Sequence, residues 1–263
     1  MQISGAKVLL TGATGGLGQA IARELAGRGA QLVLTGRRTD VLEPLAAELS
    51  ASVRAVDLAD DAAVLALAGE SADVDVLVLN AALPGSGRLD SFSLDQMERV
   101  IDVNLRAPIV LAHELAPHML ARGRGSLVFI SSLSGKAAAG GGSMYSATKF
   151  GLRGFALSLR AELHGSGVGV TVVNPGFIRD AGMFAESGAS LPRGIGTKTP
   201  EDVARGVVRA IEKGPAEVNV APVGLRAGAS FAGLAPGVAE AVARKLGSDD
   251  IAESMAEGQA SKR

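Results

Sequence analysis

A tyrosine and a lysine four residues apart, Tyr145 and Lys149, could together transfer a proton. Tyr145 is the only tyrosine of the chain, and Lys149 follows it in the stretch YSATK. In a helix, side chains four residues apart lie on one face. A free phenol has a pKa of about 10, and a neighbouring ammonium lowers that pKa toward the range useful for proton transfer. If the two stood alone, an exposed pair without a chemical role would be favoured.

Two further polar residues could act with this pair. Ser132 precedes Tyr145 by 13 residues and ends an apolar run that predicts a strand. Its hydroxyl could hold a carbonyl or alcohol oxygen of a substrate beside the phenol. Asn104, in DVNL, could fix its own helix or hold a water that serves Lys149.

The stretch TGATGGLG (11–18) predicts a tight turn from a strand into a helix. The free N–H groups at the start of such a helix can bind a phosphate. Two spacings fit: TGxxxGxG uses Gly12, Gly16 and Gly18, whereas TGxxGxxG uses Gly12, Gly15 and Gly18. Close packing of a strand on a helix also selects glycine. Phosphate binding is nevertheless the favoured interpretation, because the turn follows the first predicted strand and opens the first predicted helix.

Apolar runs alternate with helical periodicity along most of the chain. Strands are predicted at 7–11, 31–35, 52–56, 74–80, 126–131, 168–173 and 216–221. Helices are predicted at 17–28, 41–49, around 64–67, at 94–121 with an interruption near Pro108, at 144–163 and at 200–212, with a loop at 176–199. This order predicts an α/β fold: a single doubly wound Rossmann-type domain over 1–263, with a parallel seven-stranded sheet and helices on both faces.

Polar residues directly follow several of the predicted strands. They are Asp57, Asn80, Ser131, Ser132 and Asn174. In an open parallel sheet, ligands bind beyond the carboxyl ends of the strands. Turns use the same residue types, but ligand contacts are the favoured interpretation here.

The composition argues against several other classes of function. The 263 residues carry a net charge of −1 and a pI near 6.3, which gives no sign of a nucleic-acid partner. The chain has no cysteine, and its three histidines form no metal-binding pattern, so no metal is expected. No basic, apolar leader is visible, and the apolar segment from Leu225 is a poor membrane span, so a cytoplasmic protein is expected.

Taken together, these motifs resemble those of the classical short-chain dehydrogenase/reductase family, over about residues 5–220. TGATGGLG resembles the TGxxxGxG turn of the family, LNAAL carries most of its NNAG motif, YSATK matches YxxxK, and NPGFI (174–178) matches its PG motif. TGxxGxxG is typical of the extended branch, which usually has longer chains. The resemblance therefore favours Gly12, Gly16 and Gly18 and leaves Gly15 incidental.

The resemblance implies hydride transfer between a nicotinamide cofactor and a carbonyl or alcohol carbon. Tyr145 would exchange the proton, Lys149 would lower its pKa and hold the nicotinamide ribose, Ser132 would orient the substrate oxygen, and Asn104 would support the proton relay. The implied cofactor-binding residues are Gly12, Thr14, Gly16, Leu17, Gly18, Arg37, Arg38, Asp57, Leu58, Asn80, Ala81, Ala82, Tyr145, Lys149, Pro175, Gly176 and Ile178.

Two positions depart from the pattern of the family. Ala82 replaces the last glycine of NNAG, which should only slightly crowd the adenosine side. Asp180 stands where the family often has a threonine that contacts the nicotinamide carboxamide. An aspartate could accept a hydrogen bond from that amide, although it brings a charge.

The second strand and its following residues, QLVLTGRR, bear on the choice of cofactor. Relatives specific for NAD usually end this strand with an acidic residue, and Gly36 occupies that position here. The guanidinium of Arg37 suits a 2′-phosphate, and Arg38 could add charge. A solvated turn is the alternative. The sequence therefore predicts that NADP(H) is preferred, with NAD(H) possible.

The substrate is not readable from the motifs. The loop 181–199 and a C-terminal extension over 222–263 should shape its pocket, and Met183, Phe184, Leu191 and Phe231 either line it or pack on the body. The rival functions are a cofactor-binding regulator without turnover and an NAD-retaining epimerase of the extended branch. The helix at 144–163 is richer in apolar and small residues than one sheet contact requires. Enzymes of the family that the chain resembles pair this helix across a two-fold axis, so the resemblance implies a homodimer or homotetramer.

Overall fold

A computed structural model of the chain describes residues 1–192, 194–245 and 248–259. Seven strands form one parallel sheet in the order β3-β2-β1-β4-β5-β6-β7. They are β1 (Lys7–Leu10), β2 (Gln31–Gly36), β3 (Ser52–Ala55), β4 (Val76–Leu79), β5 (Gly125–Ile130), β6 (Val168–Pro175) and β7 (Glu217–Val220). The predicted doubly wound α/β fold with seven strands is confirmed.

Eleven α-helices lie within the described residues. They are α1 (Gly16–Gly27), α2 (Thr39–Leu49), α3 (Asp61–Gly69), α4 (Leu94–Ile101), α5 (Ala107–Ala121), α6 (Ser143–Glu162), α7 (Gly182–Ser187), α8 (Pro200–Lys213), α9 (Val223–Ala232), α10 (Pro236–Lys245) and α11 (Ser248–Gln259). No described helix is both long and apolar enough to cross a bilayer.

Both faces of the sheet are buried at the central strands β1, β4, β5 and β6, which explains the continuous apolar runs of these strands. Side chains alternate between the faces: Val8 and Ile130 belong to one core, whereas Leu9 and Phe129 belong to the other. The first core includes residues of α1, α2 and α8, and the second includes residues of α3, α5 and α6.

The strand order reverses between β1 and β4. β1 pairs with β2 on one side and with β4 on the other, so the chain winds outward in both directions from this point. Connections that leave in opposite directions open a crevice at the carboxyl edge of the sheet. The glycine-rich turn after β1 and Asn80 after β4 both lie at this crevice.

The helix predicted over 94–121 is interrupted before Pro108 rather than at it. Residues Asp102–Arg106 form a π-helical turn between α4 and α5. Pro108 lies in the first turn of α5, where its missing N–H is tolerated. The irregular turn carries Asn104.

The loop predicted over 176–199 is interrupted by a helix. Its residues 182–187 form α7, which ends at Gly188 in the left-handed conformation, with φ +71°. A glycine at this position is a common way to end a helix. The C-terminal extension contains α9, α10 and α11 within the described residues.

Candidate active site

Three of the four glycines in the turn after β1 have no room for a side chain. Gly12 has φ +69°, and a Cβ there would lie 2.7 Å from Cα of Ala81. A Cβ on Gly16 would overlap Ala181, and one on Gly18 would overlap the carbonyl oxygen of Gly12. At Gly15, the nearest atom to an added Cβ would be 3.7 Å away. The contacts match the TGxxxGxG spacing.

These contacts predict different outcomes for two matched substitutions. Gly18→Ala is expected to destabilise the fold by roughly 1–3 kcal/mol, because the added methyl is overpacked against backbone. Gly15→Ala is expected to raise no steric conflict and to cost about 1 kcal/mol or less, because Gly15 is exposed and its φ of −80° suits alanine, although alanine is a poorer N-cap than glycine. Urea denaturation of both variants measures the difference. Equal losses would contradict this assignment of the glycines.

Asn80 and Thr11 hold the glycine turn against the next strand. The Asn80 Nδ2 donates to the carbonyl oxygens of Thr11, at 3.0 Å, and Gly12, at 3.1 Å. The Thr11 hydroxyl accepts from the backbone N–H groups of Asn80, at 3.0 Å, and Ala81, at 3.1 Å. The side chain of Asn80 thereby fixes the shape of the turn.

One cavity of about 1490 Å³ runs along the carboxyl edge of the sheet. All the cofactor-binding residues predicted from the sequence line it: Gly12, Thr14, Gly16, Leu17, Gly18, Arg37, Arg38, Asp57, Leu58, Asn80, Ala81, Ala82, Tyr145, Lys149, Pro175, Gly176 and Ile178. Ser132 lines it as well. The structure therefore brings the glycine turn and the candidate catalytic residues to one space.

Tyr145 and Lys149 lie on adjacent turns of α6. The Lys149 Nζ lies 5.6 Å from the centroid of the Tyr145 ring and donates to the carbonyl oxygen of Ile130 at 2.9 Å. Lys149 is only 1% exposed. Ser131 also holds this helix, because its hydroxyl donates to the Lys149 carbonyl at 3.0 Å. The ammonium is thus fixed between β5 and the phenol ring.

The pKa of Tyr145 is shifted opposite to the direction expected from its spacing to Lys149. Burial raises the pKa of Tyr145 to about 12, and a hydrogen bond with the Ser132 side chain partly opposes that shift. Burial lowers the pKa of Lys149 to about 8. The predicted lowering of the phenol pKa is therefore not borne out, because desolvation of the phenol sets the direction of the shift. At neutral pH the phenol keeps its proton.

Asn104 reaches Tyr145 through the backbone of the segment after β4. Its side chain accepts from the N–H of Leu83 at 2.6 Å and donates to the carbonyl oxygen of Leu83 at 2.9 Å. Two residues on, the carbonyl oxygen of Gly85 accepts from the N–H of Tyr145 at 3.3 Å. Asn104 is fully buried and is not among the residues that line the large cavity.

Comparison with known proteins identifies the family. The family model described as short chain dehydrogenase matches residues 6–191. The chain belongs to the short-chain dehydrogenase family. Its relatives are named as dehydrogenases and reductases, and this chain is an NAD(P)-dependent oxidoreductase.

Two curated relatives and one solved structure are among the most similar proteins. Ketoacyl reductase HetN of Nostoc sp. is 36% identical over 227 residues, which cover 83% of this chain and 79% of the relative. The NADP-dependent 3-hydroxy acid dehydrogenase YdfG of Salmonella typhi is 34% identical over 242 residues, covering 86% and 97%. A short-chain dehydrogenase from Sphingobium yanoikuyae in complex with NADPH has a TM-score of 0.76 at 29% identity, covering 89% and 94%.

Asp180 lies outside the large cavity of this short-chain dehydrogenase. It has φ +71° and a 66% exposed side chain that pairs with Arg179 at 3.4 Å. It lines a smaller cavity, of about 440 Å³, together with residues of α1 and α8 such as Gln19 and Ala204. The suggested contact between Asp180 and the cofactor amide is therefore not supported by this geometry.

The sequence analysis missed Arg99, which positions Asp57. The Arg99 Nη2 donates to the Asp57 carboxylate at 2.7 Å, and the N–H of Ala59 donates to the same carboxylate at 3.1 Å. Burial alone would raise the pKa of Asp57, but these hydrogen bonds and the nearby Arg37 hold it below its ordinary value. No sequence motif connects Arg99 on α4 with the residue after β3.

A second missed group surrounds Glu217 at the start of β7. Its carboxylate accepts from Lys136 at 3.0 Å, from Arg153 at 2.7 Å and from Asn174 at 2.9 Å. Burial would raise the pKa of Glu217, but the two cations outweigh it and hold that pKa at about 2. The cluster ties together the segment after Ser132, the helix of Lys149 and the residue before Pro175.

Proposed function

We propose that this protein is an NADP(H)-preferring oxidoreductase that interconverts a carbonyl and a secondary alcohol. The observation that carries the proposal is the single cavity in which Tyr145, Ser132 and Lys149 meet the glycine turn after β1. Tyr145 is the proton donor in reduction and the proton acceptor in oxidation. Ser132 holds the substrate oxygen, and Lys149 places its charge beside the phenol.

The residues present fit a dinucleotide cofactor. The turn at Gly12, Gly16 and Gly18 brings backbone close enough that no Cβ fits, and it opens the N-terminus of α1, which favours a phosphate. Asn80, Asp57 and Leu58 would hold the adenosine side, whereas Lys149 and Pro175 would hold the nicotinamide side. When bound, the cofactor supplies or accepts the hydride, and the protein supplies position and electrostatics.

Arg37 supports the preference for NADP(H). It is exposed on the lining of the cavity, and its guanidinium makes no hydrogen bond with another described residue. Arg38, in contrast, donates to the carbonyl oxygen of Thr14 at 2.9 Å. YdfG, named as NADP-dependent, and the NADPH-bound neighbour are similar to this chain and support the same choice.

The test is NADPH oxidation by the purified protein with a panel of ketones, aldehydes and quinones, and the reverse reaction with the matching alcohols. Turnover of at least one carbonyl with NADPH is expected. Tight NADPH binding with no turnover across the panel would favour a regulator instead. An NAD that stays bound through purification, with no net oxidation or reduction, would favour an epimerase.

The pKa values predict how reduction depends on pH. Below about pH 8 both Lys149 and Tyr145 carry their protons, so reduction should be nearly constant there. As the pH rises through the pKa of Lys149, the ammonium is lost and reduction should fall. A Lys149→Arg variant keeps its charge and should not show that fall, even if its overall rate is lower. A fall at the same pH in both proteins would contradict the assignment to Lys149.

We also propose that the protein is a homodimer or homotetramer that pairs through α6. Ala147, Phe150 and Gly154 lie on one exposed face of this helix, and Phe150 is 41% exposed. Light scattering at micromolar concentration should give a multiple of the chain mass. Phe150→Glu should reduce that mass, whereas Leu65→Glu, at an exposed leucine of α3, should not. A monomeric mass for the unmodified protein would overturn the proposal.

A further inference from the structure

The large cavity has room for more than a cofactor. Its volume of about 1490 Å³ exceeds the roughly 300–1000 Å³ of a typical small-molecule site. Arg37 follows β2, and Ser132 follows β5, three strands away in the sheet, which places them about 14 Å apart along its edge. The cavity continues past Ser132, where α7 and the C-terminal helices α9–α11 line it.

Large apolar side chains line this far part of the cavity, which we call the C-terminal end. They include Met183 and Phe184 of α7, Leu225 and Phe231 of α9, and Ile251 and Met255 of α11. The facing stretch at 137–142 reads AAAGGG and also lines the cavity. Because that stretch has no side chain beyond Cβ, it leaves space for a bulky ligand. Leu191, for which the sequence left both lining of the pocket and packing on the body open, is not among the residues that line the cavity.

The charges at this end do not suit a free carboxylate. The charged residues here that line the cavity, among those the structure describes, are Glu186, Glu240 and Arg244, in addition to Lys149. Arg244 forms an ion pair with Glu240 of its own helix. A carboxylate buried among apolar side chains needs a cation to replace its hydration.

The end of α11 closes this part of the cavity over α7. The Gln259 Nε2 donates to the carbonyl oxygen of Met183 at 2.8 Å, and Gln259 is 1% exposed. At Gly258 the helix approaches so closely that an added Cβ would overlap Ser187. This contact holds Ile251 and Met255 in the wall that faces the substrate.

We propose that the substrate is a bulky, apolar ketone or its secondary alcohol, with no free carboxylate. The proposal rests on the proposed oxidoreductase function and adds the substrate class. The proposed substrate differs from that of YdfG, whose name gives a 3-hydroxy acid as substrate. The apolar wall binds the body of the substrate, and Ser132 with Tyr145 holds its one polar oxygen.

Binding of two matched ligands tests this without requiring turnover. Calorimetry of the full chain loaded with NADP⁺, which cannot reduce a ketone, compares 4-oxodecanoate with its methyl ester, two ligands that differ chiefly in charge. The ester is expected to bind at least tenfold more tightly. Equal affinity, or tighter binding of the acid, would overturn the proposal. Ester binding without any reduction by NADPH would support the inference while counting against the proposed function.

Two pairs of variants test whether the C-terminal end of the cavity causes the preference for the ester. Met255→Lys adds a cation to the lining and should narrow or reverse the preference for the ester, whereas Met255→Leu should keep it. Gly258→Ala should weaken ester binding, because the added methyl lifts α11 from Ser187. Gly237→Ala, in α10, is its control, since no atom lies within 4 Å of an added Cβ there. Unchanged ester binding in Gly258→Ala and an unchanged preference in Met255→Lys would contradict the assignment of this wall.

Discussion

Replacement of Tyr145 by phenylalanine is expected to lower kcat for carbonyl reduction by about 10²- to 10⁴-fold, the usual contribution of a general acid. The variant keeps the ring that lies beside Lys149 and loses only the hydroxyl that carries the proton. NADPH affinity should therefore stay nearly unchanged. Steady-state kinetics and NADPH titration by fluorescence give the two quantities separately.

Two further variants distinguish loss of the proton donor from a general disturbance of the site. Lys149→Ala should reduce both kcat and cofactor affinity, because Lys149 is proposed to serve the phenol and the ribose. Ser132→Ala should reduce kcat and leave cofactor affinity largely intact, because Ser132 is proposed to hold the substrate oxygen. A Tyr145→Phe protein that keeps most of its rate on a good substrate would show that another group supplies the proton.

Most of the fold could be predicted because its central strands are buried on both faces. A strand such as β5, in which every residue is buried, needs a continuous apolar run and is readable without its neighbours. The π-helical turn at Asp102–Arg106 could not be read, because it depends on Asn104 meeting the backbone of Leu83 across the fold. The helix α7 was missed because it is only one and a half turns long and lies between glycines.

Residues of the candidate site could be predicted from the sequence where they belong to a local motif. The glycine turn and the Tyr145–Lys149 pair depend on spacing over a few consecutive residues, so both could be identified from the sequence. Arg99 and Glu217 act across elements distant in the chain, and no spacing connects them with Asp57 or Lys136. The direction predicted for the Tyr145 pKa shift was the opposite of the one found. The spacing of residues identifies a neighbouring charge, but it does not show how deeply the phenol is buried.

The choice between NADPH and NADH is expected to depend on Arg37. Charge-assisted hydrogen bonds to a 2′-phosphate contribute roughly 1.5–3 kcal/mol, which corresponds to about a tenfold to hundredfold preference for NADPH. Arg37→Ala should therefore weaken NADPH binding by that factor and barely change NADH binding. Arg38 is the weaker candidate, because it already donates to the Thr14 carbonyl oxygen. Equal affinities of the unmodified protein for NADPH and NADH at moderate salt would refute this preference.

Conversion of the protein to an NADH-preferring enzyme requires two substitutions rather than one. An aspartate at Gly36 would repel a 2′-phosphate and accept hydrogen bonds from the ribose hydroxyls. However, a Cβ at Gly36 would lie 2.7 Å from the Thr14 Cγ2, so Gly36→Asp alone displaces Thr14 in the glycine turn. Thr14→Ser removes that methyl, and the remaining hydroxyl contact of 3.2 Å can relax. We therefore expect the double variant to prefer NADH by titration, the Thr14→Ser control to keep its preference for NADPH, and Gly36→Asp alone to bind both cofactors weakly. A double variant that prefers NADPH as strongly as the unmodified protein does would show that the residue at position 36 does not face the adenosine ribose.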